Sequence, residues 1–258
     1  MGRFTGQVAV VTGAGSGIGR ASANRLAADG AHVIVNDLKP DDAEQTRSQI
    51  VAAGGSAETA VGDVTGPDYL DGLFDDVVSR HGRLDIVHNN VGFGRRSSLV
   101  DVDNDTWARG IDGNLGATFR GVRAALRVMA ARGRGAVVNT SSLAGLGKIP
   151  GVIPYYGVSK AAILQLTKEA AIEGGAIGVR VNAVVPGSVR TPSFEAYLAA
   201  GDRFDAYVKQ LPLRRIVEPI DVANLVAFLA SDEAAAITGV AITIDSGMSA
   251  LMPQPTLS

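Results

Sequence analysis

Val8-Ala9-Val10-Val11-Thr12 runs without a break into Gly13-Ala14-Gly15-Ser16-Gly17-Ile18-Gly19, and residues 17–29 that follow carry helical spacing. A short β-branched run, a glycine-rich turn and a helix form one unit. Glycines at 13, 15, 17 and 19 permit a tight turn and close backbone approach. A phosphate group could then meet the free amides and the positive dipole end of the following helix. Standing between a strand and a helix, the loop is more informative than its glycines alone.

Outward from this unit the alternation repeats. Apolar, β-branched runs at 32–35, 84–87, 136–139, 179–185 and 241–244, with a weaker and partly polar one at 57–61, read as strands. Segments 41–53, 67–81, 103–132, 155–173 and 219–230 read as helices, several closed by glycine. This order predicts an α/β fold: a single doubly wound, Rossmann-type parallel sheet of about seven strands, with helices on both faces and right-handed crossovers. Such sheets bind ligands beyond the carboxyl ends of their strands. No repeat or low-complexity linker divides the chain, so residues 1–258 are expected to form one domain, with a substrate loop near 188–215 and an irregular tail near 251–258.

Composition narrows the classes. With 46% hydrophobic and 19% charged residues, and 24 basic side chains against 26 acidic ones, the chain is neither disordered nor a basic nucleic-acid binder. The absence of cysteine removes disulfides, zinc–thiolate sites, iron–sulfur clusters and a cysteine nucleophile. His32, His81 and His88 are scattered along the sequence without a ligand spacing, so no metal is expected. The start of the chain lacks an export signal, and no window is apolar enough for a membrane span; a cytoplasmic address and no membrane partner are the expectations.

Two side-chain patterns point to chemistry. Asp37 closes the second strand, where a carboxylate accepts hydrogen bonds from adenosine ribose hydroxyls and repels a 2′-phosphate. Tyr156-Gly157-Val158-Ser159-Lys160 opens an apolar helix, and residues four apart share a face. A phenol with a pKa near ~10 is a poor base, and bringing it to neutrality costs ~4 kcal/mol. A neighbouring Lys160 ammonium would supply part of that, and in the short-chain dehydrogenase/reductase family, which this pattern resembles, the positively charged nicotinamide of the cofactor supplies the rest. Tyr156 would then take a proton from an alcohol, or give one to a ketone, as hydride moves.

Thr12-Gly13 followed by Gly17 and Gly19, together with Tyr156 and Lys160, resembles the short-chain dehydrogenase/reductase family, and the resemblance covers essentially the whole chain. It implies that Ser142, in Asn139-Thr140-Ser141-Ser142, bonds the substrate oxygen and that Asn114 holds a water linking Lys160 to solvent. Lys160 would also reach the nicotinamide ribose. The interval from Ser142 to Tyr156 is one residue longer than is usual in the family, which leaves Ser141 as an alternative contact. Tyr155 would restore the interval but has no lysine four residues on. Gly145, Gly147 and Gly151 are expected to absorb the extra residue.

The same resemblance assigns cofactor contacts to Gly13, Ser16, Gly17, Ile18, Gly19, Asp37, Leu38, Asp63, Val64, Asn90, Val91, Gly92, Pro186, Gly187, Val189 and Thr191, besides Tyr156 and Lys160. Ser16 and Leu38 are neutral where relatives using NADP carry a base, so NAD is the expected cofactor even with Lys39 nearby. Phe93, Ile149 and Phe194, with Tyr197 and Leu198, would wall an apolar pocket; Arg95 and Arg96 read as a solvated pair. The expected activity is NAD-dependent interconversion of a small or medium secondary alcohol and a ketone by a homotetramer. The alternatives are NADPH-dependent 3-oxoacyl-(acyl carrier protein) reduction and a non-catalytic NAD sensor; the intact set Asn114, Ser142, Tyr156 and Lys160 speaks against the sensor, and Asp37 against the reductase.

Overall fold

The β-branched runs become seven strands in the computed structural model, which describes residues 2–94, 97–147, 149, 152–192, 194–195 and 204–251. They are β1 (Val8–Thr12), β2 (His32–Asp37), β3 (Ser56–Val61), β4 (Ile86–Asn89), β5 (Gly135–Thr140), β6 (Val179–Pro186) and β7 (Ala241–Ile244). All pairs are parallel, in the order β3-β2-β1-β4-β5-β6-β7. Strand β1 is buried along its whole length, as expected for a strand covered on both faces. The chain leaves β1 toward one edge of the sheet and resumes at β4 toward the other. Between them the crossovers part and leave a crevice at the carboxyl ends.

Helices α1 (Gly17–Ala28) and α2 (Pro40–Ala52) connect the first three strands, and α3 (Tyr69–His81) leads into β4. Val10, Phe74, Val87, Val122 and Val181 belong to the core on one face of the sheet, and Val11, Leu26, Val33 and Ile86 to that on the other. No helix among the described residues is long and apolar enough to cross a membrane.

The segment 103–132, predicted as one helix, is broken in register. Helix α4 (Asn104–Ile111) passes into a π turn at Asp112–Gly116, then into α5 (Ala117–Met129) and a 3-10 turn at Ala130–Arg132. A π turn accommodates one extra residue without ending the helix, so apolar spacing does not reveal it. Smaller differences concern ends: the third predicted helix starts at Tyr69 rather than 67, and the strand expected at 84–87 lies at Ile86–Asn89. Asp85 is instead tied down before the strand, accepting from the Val8 amide at 2.8 Å. Helix α6 (Pro154–Gly175) precedes β6. The stretch expected as a substrate loop contains a short helix, α7 (Phe204–Val208), before α8 (Pro219–Ala230). Residues 252–258, most of the predicted tail, lie outside the described residues.

Candidate active site

The glycine loop is shaped by what presses on it. Gly13 and Gly17 have φ of 61° and 51°, left-handed values that favour glycine. A Cβ on Gly19 would lie 2.1 Å from the Gly13 carbonyl oxygen, so only glycine lets α1 pack this closely. Asp37 folds back over the loop: its Oδ2 accepts the Gly15 amide at 2.8 Å and its Oδ1 the Lys39 amide at 3.0 Å. A Cβ on Gly15 would stand 2.6 Å from that carboxylate. Ser16 is the N-cap of α1 but makes no side-chain capping bond, and the first turn holds no acidic residue. The helix start therefore carries no capping side chain or first-turn acid of its own, which suits a pyrophosphate. On these grounds the cradle fits a nicotinamide dinucleotide.

The loop also has a buttress that the sequence reading missed. Arg20 donates to the Gly15 carbonyl and, through Nε, to Thr46 Oγ1 at 3.1 Å, while Thr46 donates to the Ala14 carbonyl at 2.9 Å. Arg20 directly follows the last glycine of the motif, which was the available signal; Thr46 sits on α2 and gave none. Asn90 clamps the other side, its Nδ2 donating to the carbonyls of Thr12 at 3.2 Å and Gly13 at 3.3 Å.

At the end of β5, Ser142 and Ser141 separate cleanly. Ser142 hydrogen-bonds the Tyr156 phenol, whereas the Ser141 hydroxyl donates to the Lys160 carbonyl at 2.7 Å and is spent on α6. The longer interval thus leaves Ser142 facing the tyrosine. Tyr155 turns away, its ring against Gly110 of α4. Gly145 is no slack residue: a Cβ there would lie 2.6 Å from the Lys160 backbone, whereas Gly147 has open space around it. Gly151 lies outside the described residues.

Lys160 is buried, and its Nζ donates to the Thr140 carbonyl at 2.8 Å while standing 5.4 Å from the Tyr156 ring centroid. Burial lowers its pKa to about 8. Tyr156 moves the other way: burial raises its pKa, with the Ser142 hydrogen bond opposing. The phenol was expected to be brought down by the ammonium and a bound nicotinamide together; the ammonium, for its part, lies over the ring and is bonded to a backbone oxygen. Desolvation outweighs it.

Asn114, fully buried in the π turn, accepts the Phe93 amide at 3.0 Å and donates to the carbonyls of Phe93 at 2.9 Å and Gly110 at 2.8 Å. Its amide group is spent on shaping the segment that carries Gly92. A Cβ on Gly92 would stand 2.8 Å from Lys160 Nζ and 3.0 Å from Asn114 Oδ1, so this glycine is wedged between the two.

Behind Lys160, His88 Nε2 lies 2.8 Å from Thr140 Oγ1. Burial, with a contribution from the Lys160 charge, holds the imidazole at about 3 instead of 6.5. The unfolded chain protonates His88 as pH drops through 6.5 while the folded one resists until about 3. Stability contributed by the neutral ring is therefore complete above that window and lost as pH falls through it, by up to ~1.4 kcal/mol per pH unit. Denaturation midpoints followed from pH 7 to 4 should drop more steeply for the wild type than for His88→Val; parallel curves would clear His88 of this role.

The remaining predicted contacts are dispersed around the crevice. Val91 faces the loop, its Cγ2 3.1 Å from where a Gly13 Cβ would be, and the Thr191 methyl lies 3.2 Å from the same point on Gly17. Asp63 Oδ1 accepts both the amide and the hydroxyl of Thr65 at 2.8 Å, and Val64 is buried. Leu38 is exposed and Ile18 packs into the core beside β6. Pro186 ends β6, Gly187 is pressed against Asp245, and Val189 bridges to Val217. Of the substrate wall, Phe93 packs on Gly113, Phe194 meets Tyr207 edge-on at 5.9 Å, and Ile149 is half-buried. Arg95, Arg96, Tyr197 and Leu198 lie outside the described residues.

Residues 13–249 match the family model described as enoyl-(acyl carrier protein) reductase. A solved short-chain dehydrogenase/reductase structure from Burkholderia xenovorans superposes with a TM-score of 0.93 at 37% identity, over 98% of this chain and 100% of that one. This chain belongs to the short-chain dehydrogenase/reductase family. It is thus an oxidoreductase of a family that binds a nicotinamide cofactor. The cyclohexanol dehydrogenase of Acinetobacter sp. (strain SE19) is 36% identical over 94% of this dehydrogenase/reductase and 95% of its own length. A structure from Beutenbergia cavernae, described as an NAD(P)-dependent gluconate 5-dehydrogenase with bound NADP, has a TM-score of 0.89 at 33% identity, covering 96% of this chain and 98% of that one.

Proposed function

We propose that this protein is an NAD(H)-dependent oxidoreductase that interconverts a secondary alcohol and a ketone, with Tyr156 as general acid and base. The observation that carries the reading is the hydrogen bond between Ser142 and the Tyr156 phenol, with Lys160 buried one helical turn on. A bound nicotinamide supplies the hydride acceptor for oxidation and the donor for reduction. In the oxidative direction the Tyr156 oxygen receives the alcohol proton; in the reductive direction its O–H protonates the carbonyl oxygen. Ser142 holds that same oxygen by a hydrogen bond. Lys160 keeps a positive charge beside the phenol, and Asn114 fixes the Gly92–Phe93 backbone against it. Gly13, Ser16, Gly17, Ile18 and Gly19 receive the pyrophosphate, and Asp37 the adenosine ribose. The resemblance to a cyclohexanol dehydrogenase supports a small, apolar, cyclic alcohol as the first class to test.

The preference for NAD rests on Asp37, whose carboxylate is pinned at the loop by two amides and would repel a 2′-phosphate. Lys39 offers little counterweight: it is mostly exposed and its Nζ turns to Asp42, 3.7 Å away. Fluorescence titration should give tight NADH and weak NADPH binding, with the gap shrinking in Asp37→Ala. A preference for NADPH would overturn this and favour 3-oxoacyl reduction, the activity named for a Thermotoga maritima relative that is 35% identical over 95% of this chain. Assembly as a homotetramer is part of the proposal, supported by the exposed apolar Phe119 on α5 and Ile172 on α6. Light scattering should report four chain masses; a monomer would contradict it.

A further inference from the structure

The fold brings together two histidines that the sequence keeps apart. His32 opens β2, His81 closes α3, and Glu58 stands on β3 between them. His32 pairs in register with Ser56, and Glu58, two residues on, shares the face of Ser56. The two imidazole centroids are 4.7 Å apart. His81 Nε2 lies 3.2 Å from Glu58 Oε1 and His32 Nε2 lies 3.9 Å from Glu58 Oε2. One ligand atom from each residue falls within 4.8 Å of the others.

We propose that His32, Glu58 and His81 form a binding site for one divalent transition cation of the zinc class, at the amino-terminal end of β2, away from the catalytic crevice. Nothing in the proposed oxidoreductase chemistry uses these residues. The His32 ring is already oriented as a ligand: its Nδ1 lies 2.7 Å from Ser56 Oγ, and donation there leaves the lone pair on Nε2. That Nε2 is buried and has no hydrogen-bond partner among the described residues. Two imidazoles and one carboxylate are a donor set that zinc accepts at ~2.0–2.2 Å with a fourth position left to water. Imidazole nitrogen also selects against magnesium and calcium, which prefer oxygen.

Arg80 competes for the same carboxylate. Its Nη1 bonds Glu58 Oε1 at 2.5 Å, yet its Nε also holds Asp76 at 2.9 Å, one turn back on α3. An incoming cation would displace Arg80 from Glu58 and leave it the Asp76 partner. The ion would then fasten the edge strand β3 to β2 and to the end of α3, stabilising the folded chain in proportion to its occupancy.

The test is calorimetric titration of the untagged, metal-free, full-length protein with zinc chloride, accompanied by thermal denaturation. One zinc per chain, a melting temperature that rises with zinc and not with magnesium, and affinity at least tenfold weaker in His81→Ala and in Glu58→Gln are expected. Arg80→Ala should bind zinc more tightly than the wild type. Absence of saturable uptake by the wild type overturns the proposal, as does equal uptake by folded His81→Ala, or unchanged or weaker affinity in Arg80→Ala.

Discussion

Replacing Tyr156 by phenylalanine is expected to reduce turnover by at least ~10²–10⁴-fold, the usual contribution of a positioned general acid or base. NADH affinity should stay nearly unchanged. The variant loses one oxygen, which faces Ser142 and takes no part in the glycine cradle. Because burial raises the phenol's pKa, proton acceptance should be the harder direction at neutral pH. Alcohol oxidation should therefore climb with pH, while ketone reduction, which needs the protonated form, should not. Near-normal turnover in Tyr156→Phe, read by NADH absorbance over a panel of cyclic alcohols and ketones, would remove Tyr156 from the reaction.

Lys160→Ala should damage turnover and cofactor affinity together. The ammonium is the donor to the Thr140 carbonyl and occupies a buried site beside Gly92 and Asn114. Its removal leaves an acceptor without its partner and a void where the π turn meets α6, costing stability of the order of 1–3 kcal/mol from the unpaired group alone. Lys160→Met restores most of the volume without the charge. If the charge matters, Lys160→Met should recover melting temperature and remain at least tenfold down in turnover and weaker in NADH binding. Full activity in a stable Lys160→Met would reduce Lys160 to a packing residue.

The parts of this molecule that were legible in the sequence are those governed by local pattern. Val8–Thr12 and the glycines after it announced strand, turn and helix, because a buried parallel strand and a close backbone approach each demand a narrow choice of residue. Tyr156 and Lys160 were legible because helix geometry alone sets their spacing. Whether Ser141 or Ser142 faces the tyrosine was not, since it depends on how residues 143–153 return to α6. The pairing of His32 with His81 escaped for a related reason: its ligands come from two strands and a helix, and no spacing rule spans three elements. Arg20 beneath the glycine loop and His88 behind Thr140 are likewise products of packing.

The widened turn at Asp112–Gly116 also sets a limit on engineering. Regular α-helix could be restored there by deleting a single residue, and a redesign guided by stability alone would favour that deletion. It would also rotate Asn114 out of register and release Phe93 and Gly92 from beside Lys160. In this enzyme the least regular stretch of helix is a hinge between durability and chemistry, and attempts to harden the fold should begin elsewhere.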